Sequence, residues 1–476
     1  MSAKNYRTDR VRAEGVRSRG FTLIELLVAM TAGLIVALSV VALSREASNT
    51  FHEETRIASA EMQLRTAIDR LRADVSRAAF MSTGNIYIDP QILTTPGTTT
   101  NVGNINATTY HTITTAMSLY TLAGIRLSAG GSAAGTPLSG YNGLNPDMID
   151  IGGNLTGAES LQIGGVSGGT AVVDGGGCGG AGQRVYLNVG NSPALWRLVG
   201  MGPTGTDTSY GAQLVSAFQP VAGASFIVRV VDNATHQIQY AATCATTTGT
   251  FNDLSSEPGN WNATSGTPQP YIDLDSNALV HKGINWDATI NPVHIVRWKI
   301  APTVITPPSG VDATKYDLTR QYIDAKGALV GAPEAVAEYA VDLKFAFTVD
   351  NLTDLSGDYS TASNSTLVVN AFEDSSNSVI TNAIAGGDVS SSVIPYSSGV
   401  EPQRIRSVRV RVVTRTPMQD RAGPLAVSGA PTDYLYRYCL VQNTTTCAQQ
   451  GAPVFARTRT LISEVALPNQ ARLWFR

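Results

Sequence analysis

One apolar segment near the N-terminus constrains this chain more than any other feature. Residues 21–44 read FTLIELLVAMTAGLIVALSVVALS and contain one charged residue, Glu25. As a helix rising about 1.5 Å per residue, this segment spans a hydrocarbon core of about 30 Å. Residues 1–20 hold six basic and two acidic residues, a net charge of +4. This leader should stay in the cytoplasm, and the chain after Ser44 should be exported.

Three interpretations of this segment compete. A cleaved secretory signal needs an apolar run of only about 7–15 residues, although Ala42–Ser44 resembles a weak cleavage site. A plain signal anchor leaves Glu25 unexplained, because a carboxylate is costly inside an apolar span without a partner. The third interpretation uses the residues at the junction between leader and span.

Those residues, Arg19-Gly20-Phe21-Thr22-Leu23-Ile24-Glu25, resemble the type III signal of type IV pilins and type II secretion pseudopilins. The resemblance implies that a prepilin peptidase cleaves between Gly20 and Phe21 and methylates the new amine of Phe21. Glu25 then lies one helical turn from that amine. In an array of parallel helices, Glu25 is expected to pair with a neighbour's amine and to fix the register of assembly.

The apolar pattern continues beyond the span in an amphipathic form. Over residues 45–80, apolar residues recur at spacings of three and four, which predicts one buried helical stripe; its members are Ile57, Ala60, Leu64, Ile68, Leu71, Val75 and Ala78. Opposite charges are spaced to pair along the same helix: Glu61 with Arg65, Arg65 with Asp69, Arg70 with Asp74, and Asp74 with Arg77. Gly84 and Pro90 supply a stop. One helix is therefore expected from about 21 to 80.

The remainder of the chain is predicted to be rich in strands. Residues 81–290 form a low-charge region with long Thr-, Gly- and Asn-rich loops, and residues 291–476 show denser alternation typical of an antiparallel sheet with one solvated face. The expected fold class is α+β, with the long N-terminal helix packed on an antiparallel β-rich head. Candidate strands are 183–189, 194–199, 224–231, 236–242, 293–301, 338–349, 404–414 and 457–466.

Three blocks in the second half resemble the PilW group of minor pilins. They are residues 335–345 (AVAEYAVDLKF), 404–412 (RIRSVRVRV) and 457–469 (RTRTLISEVALPN). Their order and spacing behind a pilin-type N-terminus carry the resemblance, which covers about 21–80 and 290–476. Residues 81–290 match no family, and are interpreted as an enlarged part of the head.

Four cysteines in an exported chain favour disulfides. Cys439 and Cys447 are expected to close a hairpin loop, and Cys178 is expected to pair with Cys244. Free thiols and crossed pairing remain the alternatives. A zinc site is disfavoured because the sequence contains no CxxC spacing.

The sequence does not favour an enzyme or a cofactor. Residues 165–169 match GxSxG but lack the helix that a nucleophile elbow requires. Asp350, Asp354 and Asp358 are a weak calcium candidate, and a solvated hairpin loop is the favoured interpretation. A net charge of −3 gives no basis for a nucleic-acid partner.

These observations predict a minor pilin that primes or caps type IV pilus assembly. It would reside in the inner membrane with a periplasmic head, and then at the pilus tip or in the fibre. The resemblance implies prepilin peptidase, other minor pilins, the major pilin and a large tip adhesin as partners. The alternatives are a minor pseudopilin of a type II secretion system, a pilus-tip adhesin, and a secreted hydrolase with an ordinary signal.

Overall fold

A computed structural model of the chain divides into two compact units, Met1–Ala58 and Ser59–Arg476. The second unit is called the head below. The structure describes residues 22–82, 124–128, 130, 144, 146–157, 160–163, 173–176, 182–187, 212–231, 238–244, 271–274, 288–302, 315–351, 366–369, 372, 405–417, 435–438 and 454–471.

The predicted helix is present as α1, Leu23–Ser76, which is 54 residues long. A turn follows through residues 77–81, so α1 ends slightly before the expected residue 80. Its first part is long and apolar enough to cross a membrane, and none of that segment is buried. Each side chain from Leu23 to Thr50 is exposed.

The second part of α1, with Ala78 in the turn after it, contributes the predicted stripe to the head. Leu64, Ile68, Leu71, Val75 and Ala78 are each at most 3% exposed, and Ile57 and Ala60 are half-buried. The amphipathic spacing therefore identified the buried face correctly, because residues three and four apart lie on one side of a helix.

Sixteen strands and two further short helices are found in the described part of the head, and all thirteen strand pairings are antiparallel. The strands are β1 Ile125–Ser128, β2 Met148–Gly153, β3 Leu161–Gln162, β4 Val173–Gly176, β5 Gly182–Tyr186, β6 Ile227–Val231, β7 Ile238–Ala242, β8 Tyr271–Leu274, β9 Thr289–Pro302, β10 Tyr316–Ile323, β11 Leu329–Ala337, β12 Ala340–Asn351, β13 Thr366–Val369, β14 Ile405–Arg415, β15 Leu435–Tyr438 and β16 Val454–Ala466. The helices are α2 Ala212–Phe218 and α3 Pro468–Ala471. The α+β fold class is confirmed; the candidate strand at 194–199 lies outside the described residues.

The strands form three sheets. The largest has eight strands, with the order β1-β2-β9-β10-β11, and β3 and β6 also pair with β9, while β7 pairs with β6. A five-stranded sheet has the order β13-β12-β14-β16-β15, and a three-stranded sheet has the order β4-β5-β8.

Strand β9 runs through both hydrophobic cores of the head. Its later residues, such as Val296 and Trp298, share one core with the second part of α1, with β1, β2 and β10, and with the five-stranded sheet. Its start, Ile290, belongs to a second core with α2 and strands β3 and β5–β8. The predicted boundary between the low-charge region and the rest of the chain, at residue 290, therefore falls inside strand β9. The division into two regions stays a prediction that rests on composition.

The three blocks that resemble PilW proteins fold next to one another. Residues 335–345 end β11 and begin β12, residues 404–412 form most of β14, and residues 457–469 form β16 with the start of α3. Strands β12, β14 and β16 are neighbours in the five-stranded sheet. Alternate residues of these strands face the core shared with α1, as the two-residue period of a strand requires.

Candidate functional site: the N-terminal helix and its joint with the head

The N-terminal end of α1 is closed by Thr22 and Glu25. The Oε2 atom of Glu25 accepts hydrogen bonds from the Thr22 amide and the Thr22 hydroxyl, both at 3.0 Å. The Glu25 amide donates back to Thr22 Oγ1 at 3.3 Å. This reciprocal arrangement is a capping box, which satisfies two amides that a helix start otherwise leaves open.

The capping box was not anticipated, although Thr22-Leu23-Ile24-Glu25 has the T-x-x-E spacing that signals one. It gives Glu25 a role within its own chain besides the expected pairing with a neighbour. Both bonds go to Oε2, and no donor to Oε1 is found among the described residues. A carboxylate has about four acceptor sites, so Oε1 can still receive a cation while the cap stays closed. Gly20 and Phe21 lie outside the described residues, and the expected cleavage between them stays a prediction.

Asp74 fixes the second part of α1 to the eight-stranded sheet. Its Oδ2 atom accepts hydrogen bonds from Arg320 Nε on β10, at 2.7 Å, and from Trp298 Nε1 on β9, at 3.0 Å. Arg320 also stacks over the ring of Tyr322, 4.9 Å from its centroid. The pair is buried, so each charge depends on the other for compensation.

This contact corrects part of the charge pattern expected from the sequence. Only Glu61–Arg65 forms as predicted, at 2.8 Å. Asp74 pairs with the head instead of Arg70 or Arg77. Helical spacing shows which charges are neighbours on α1, but it does not show which of them the sheet covers. The displaced partners are used elsewhere: Asp69 lies 3.8 Å from Arg72, Arg70 pairs with Glu334 of β11 at 2.7 Å, and Arg77 donates to the Leu155 carbonyl.

Head residues cap the C-terminal end of α1. The last carbonyls of a helix have no partner within the helix. Here Asn469 Nδ2 donates to Ser76 O at 3.1 Å. In the turn that follows the helix, Asn291 Nδ2 donates to Met81 O at 2.6 Å. The chain leaves the helix through Ala79, which has a φ of 58° and whose amide donates to Gly152 O of β2 at 2.8 Å. We call this set of contacts the joint.

Gly153 permits the close approach of β2 to the joint. A Cβ atom on Gly153 would lie 2.4 Å from Arg77 O and 3.2 Å from the Phe80 amide. Both are backbone atoms, which cannot rotate away as a side chain can. The position therefore requires glycine for steric reasons.

Four buried charges lie between β2, β12 and β14. Asp147 accepts hydrogen bonds from Lys344 Nζ at 3.2 Å and from two backbone amides, and Asp342 pairs with Arg411 at 3.0 Å. Burial raises the pKa of Asp147. Burial also raises the pKa of Asp342 to about 6, against the opposing effect of Arg411.

His294 is fully buried between Phe226 and Tyr322, with ring centroids 5.8 and 6.0 Å away. Neither ring nitrogen makes a hydrogen bond of normal geometry within the described part of the chain. Burial, aided by the charge of Arg320, lowers the pKa of His294 to about 3; the nearby Ala217 backbone acts in the opposite direction. The imidazole is therefore neutral at physiological pH.

The remaining sequence candidates form no chemical site in the described residues. Cys244 is 3% exposed and disulfide-bonded; Cys178, Cys439 and Cys447 lie outside the described residues, so both pairings stay predictions. Asp350 lies in β12, while Asp354, Asp358 and residues 165–169 are outside. No group of three potential metal ligands occurs in the part of the chain that the structure describes.

Comparison with known proteins gives one result at the N-terminus. The family described as the prokaryotic N-terminal methylation motif matches residues 16–41. No curated protein and no solved structure matches the chain. The motif implies processing by a prepilin peptidase. Together with an apolar helix and an antiparallel head, it supports a type IV pilin-like protein that is anchored in a membrane.

Proposed function

We propose that the chain is a PilW-like minor pilin that primes or caps type IV pilus assembly. One observation carries the proposal. Helix α1 begins within the methylation motif at residues 16–41, exposes an apolar first part, and buries an amphipathic second part in the core of a β-rich head. The first part can pack in a membrane or among other helices. The second part presents a folded head for contacts with other subunits.

The assignment to minor pilins rests on the head. Ser59–Arg476 is a single compact unit, large for a subunit that repeats along a whole fibre. The three PilW-like blocks supply adjacent strands around α1. The protein would reside in the inner membrane with its head in the periplasm, and then enter the pilus tip or fibre with other minor pilins.

The experiment is complementation of a deletion strain of the source bacterium. Wild-type protein should show an N-methylated Phe21 start by mass spectrometry and should restore pili. Gly20→Leu should keep its leader and should not restore pili. Gly33→Ala is the matched control, because a Cβ at Gly33 meets nothing within 4 Å in this structure.

Other outcomes would contradict this function. A mature start near Arg45 would favour a conventional secretory signal. Normal pili with lost protein secretion would favour a type II secretion pseudopilin, and normal pili with lost attachment would favour a tip adhesin.

A further inference from the structure

The two larger sheets end in strands of different character. Edge strand β11 is interrupted: its register with β10 shifts twice, Gly331 has a φ of 71°, and Pro333 lacks an amide hydrogen. Glu334 on this strand is held by Arg70. Shifts, prolines and charges are the usual means by which proteins protect an edge from pairing.

Strand β16 lacks these features along the edge that no described strand covers. Residues 458–466 pair with β14 in an unbroken register, and β15 covers the opposite side only at residues 454–457. Within the described residues, no strand pairs with that side from 458 to 466. Nine residues at about 3.4 Å each make an edge about 30 Å long. We call residues 458–466 the β16 edge.

The hydrogen bonds at the ends of β16 show which backbone groups face outward. Leu467 N donates to Arg406 O of β14, and Thr416 N donates to Arg457 O, so odd-numbered residues face β14. Successive residues of a strand point their backbone groups to opposite sides. The amides and carbonyls of Thr458, Thr460, Ile462, Glu464 and Ala466 therefore point away from β14.

The side chains along this edge also suit pairing. Thr460, Ile462, Glu464 and Ala466 are exposed, and Ile462 is 51% exposed. Residues 460–463 carry no charge, and residues 454–467 contain neither glycine nor proline. We propose that the β16 edge accepts an extended strand from a different protein subunit of the same assembly, extending the five-stranded sheet.

A second copy of this chain fits the edge poorly. Antiparallel pairing of two β16 edges requires a twofold axis perpendicular to the sheet. Because α1 residues share a core with the inner face of this sheet, that axis would direct the two helices oppositely. Under the proposed function, on which this step rests, subunits of one assembly align their α1 helices in parallel, so two copies with opposed head-bound helices do not fit it. The partner is therefore another membrane-anchored subunit, placed beside this one by its own helix.

The charges of the β16 edge define the chemistry of that strand. Arg459 lies towards one end and Glu464 towards the other, with Leu461 and Ile462 between them. The complementary strand carries an apolar residue opposite Ile462, a basic residue near Glu464 and an acidic residue near Arg459. Main-chain hydrogen bonds would supply affinity and these side chains would supply specificity.

The test is photo-crosslinking in cells of full-length protein carrying p-benzoylphenylalanine at Ile462, with Leu329 on the protected edge as the control position. We expect Ile462 alone to crosslink to a second protein that has an N-terminal methylation motif, within one of its predicted strands. Thr460→Pro removes an outward amide and leaves the β14 ladder intact, so it should reduce this adduct about tenfold or more. Thr460→Val keeps the amide and should preserve the adduct.

Folding and function are scored in the same strains. An unchanged thermal midpoint shows that Thr460→Pro is folded. If the midpoint falls, Glu464→Lys replaces it, since it reverses the edge charge, leaves the backbone unchanged and gives up one side-chain bond, from Ser407 Oγ at 2.6 Å. Three results would overturn the proposal that the β16 edge binds a strand of a different subunit: crosslinks only between copies of this chain, no crosslink, or a crosslink that neither variant reduces. Loss of Phe21 methylation or of pilus rescue in the wild type would instead overturn the proposed function.

Discussion

Asp74 on α1 and Arg320 on β10 form a buried ion pair, with Oδ2 2.7 Å from Nε. Asp74→Ala leaves the guanidinium unpaired and breaks the Trp298 bond, so it should cost about 3–5 kcal/mol of unfolding free energy. Asp69→Ala, five residues earlier on the exposed face, should stay within about 0.5 kcal/mol. Urea unfolding of the full chain in detergent, followed by Trp fluorescence, measures both. Equal midpoints for the two variants would show that Asp74 does not anchor the helix.

Two substitutions separate the roles of Glu25. Glu25→Gln removes the charge but retains an oxygen that can complete a capping box. Thr22→Val retains the charge and the Thr22 amide but removes both capping bonds of the hydroxyl, at a cost of about 1 kcal/mol to the helix. If Glu25 pairs with a neighbouring amine, Gln should be matured and inserted but should fail to assemble, whereas Thr22→Val should assemble with modest loss. Co-purification with other minor pilins and pilus counts measure this, with Glu25→Ala as the variant that lacks both functions. Normal assembly of Glu25→Gln would leave capping as the role of this residue.

His294 and Asp342 should give opposite pH dependences. The pKa of His294 is lowered in the folded state, to about 3 from 6.5, so the unfolded chain binds an extra proton between these values and stability is lost as the pH falls. The pKa of Asp342 is raised, to about 6 from 3.8, so the folded chain binds the extra proton and stability rises as the pH falls through that window. Each slope is at most about 1.4 kcal/mol per pH unit.

Between about pH 4 and 6 the two slopes therefore oppose each other. Relative to the wild type, His294→Gln should gain stability towards acid, and Asp342→Asn should lose it. His52→Gln, on an exposed helical face, is the control for replacing a histidine. Unfolding free energies from pH 4 to 7 measure the effect. Parallel curves for all four proteins would contradict both assignments.

The disulfide predictions are tested by peptide mapping without reduction. Cys244 lies two residues after β7. Its amide donates to Asp273 O of β8 at 3.0 Å, and β8 pairs with β5. Cys178 lies in the sequence between β4 and β5, so we expect a peptide linking Cys178 to Cys244. Cys439 and Cys447 should form a second linked peptide. A Cys244 peptide linked to Cys439 or Cys447 would show crossed pairing.

Local pattern predicted the elements better than it predicted their contacts. The helical stripe ending at Ala78 and the strands around residues 293–301 and 404–414 follow from periods of 3.6 and 2, which depend only on neighbouring residues. The partner of Asp74 lies 246 positions away at Arg320, and no local spacing encodes that distance. Gly153 is similar, since its requirement arises only when β2 meets the end of α1. The Thr22–Glu25 capping box is the exception: its spacing was visible in the sequence.

The arrangement of β12, β14 and β16 bears on how such a head can diversify. In the sequence, residues 352–404 separate β12 from β14 and residues 416–453 separate β14 from β16; the short strands β13 and β15 lie within these stretches. Lengthening a surface connection costs little free energy, since closure entropy grows only with the logarithm of its length. Insertions between these strands can therefore accumulate at little cost in stability, while the strands that hold α1 keep their register.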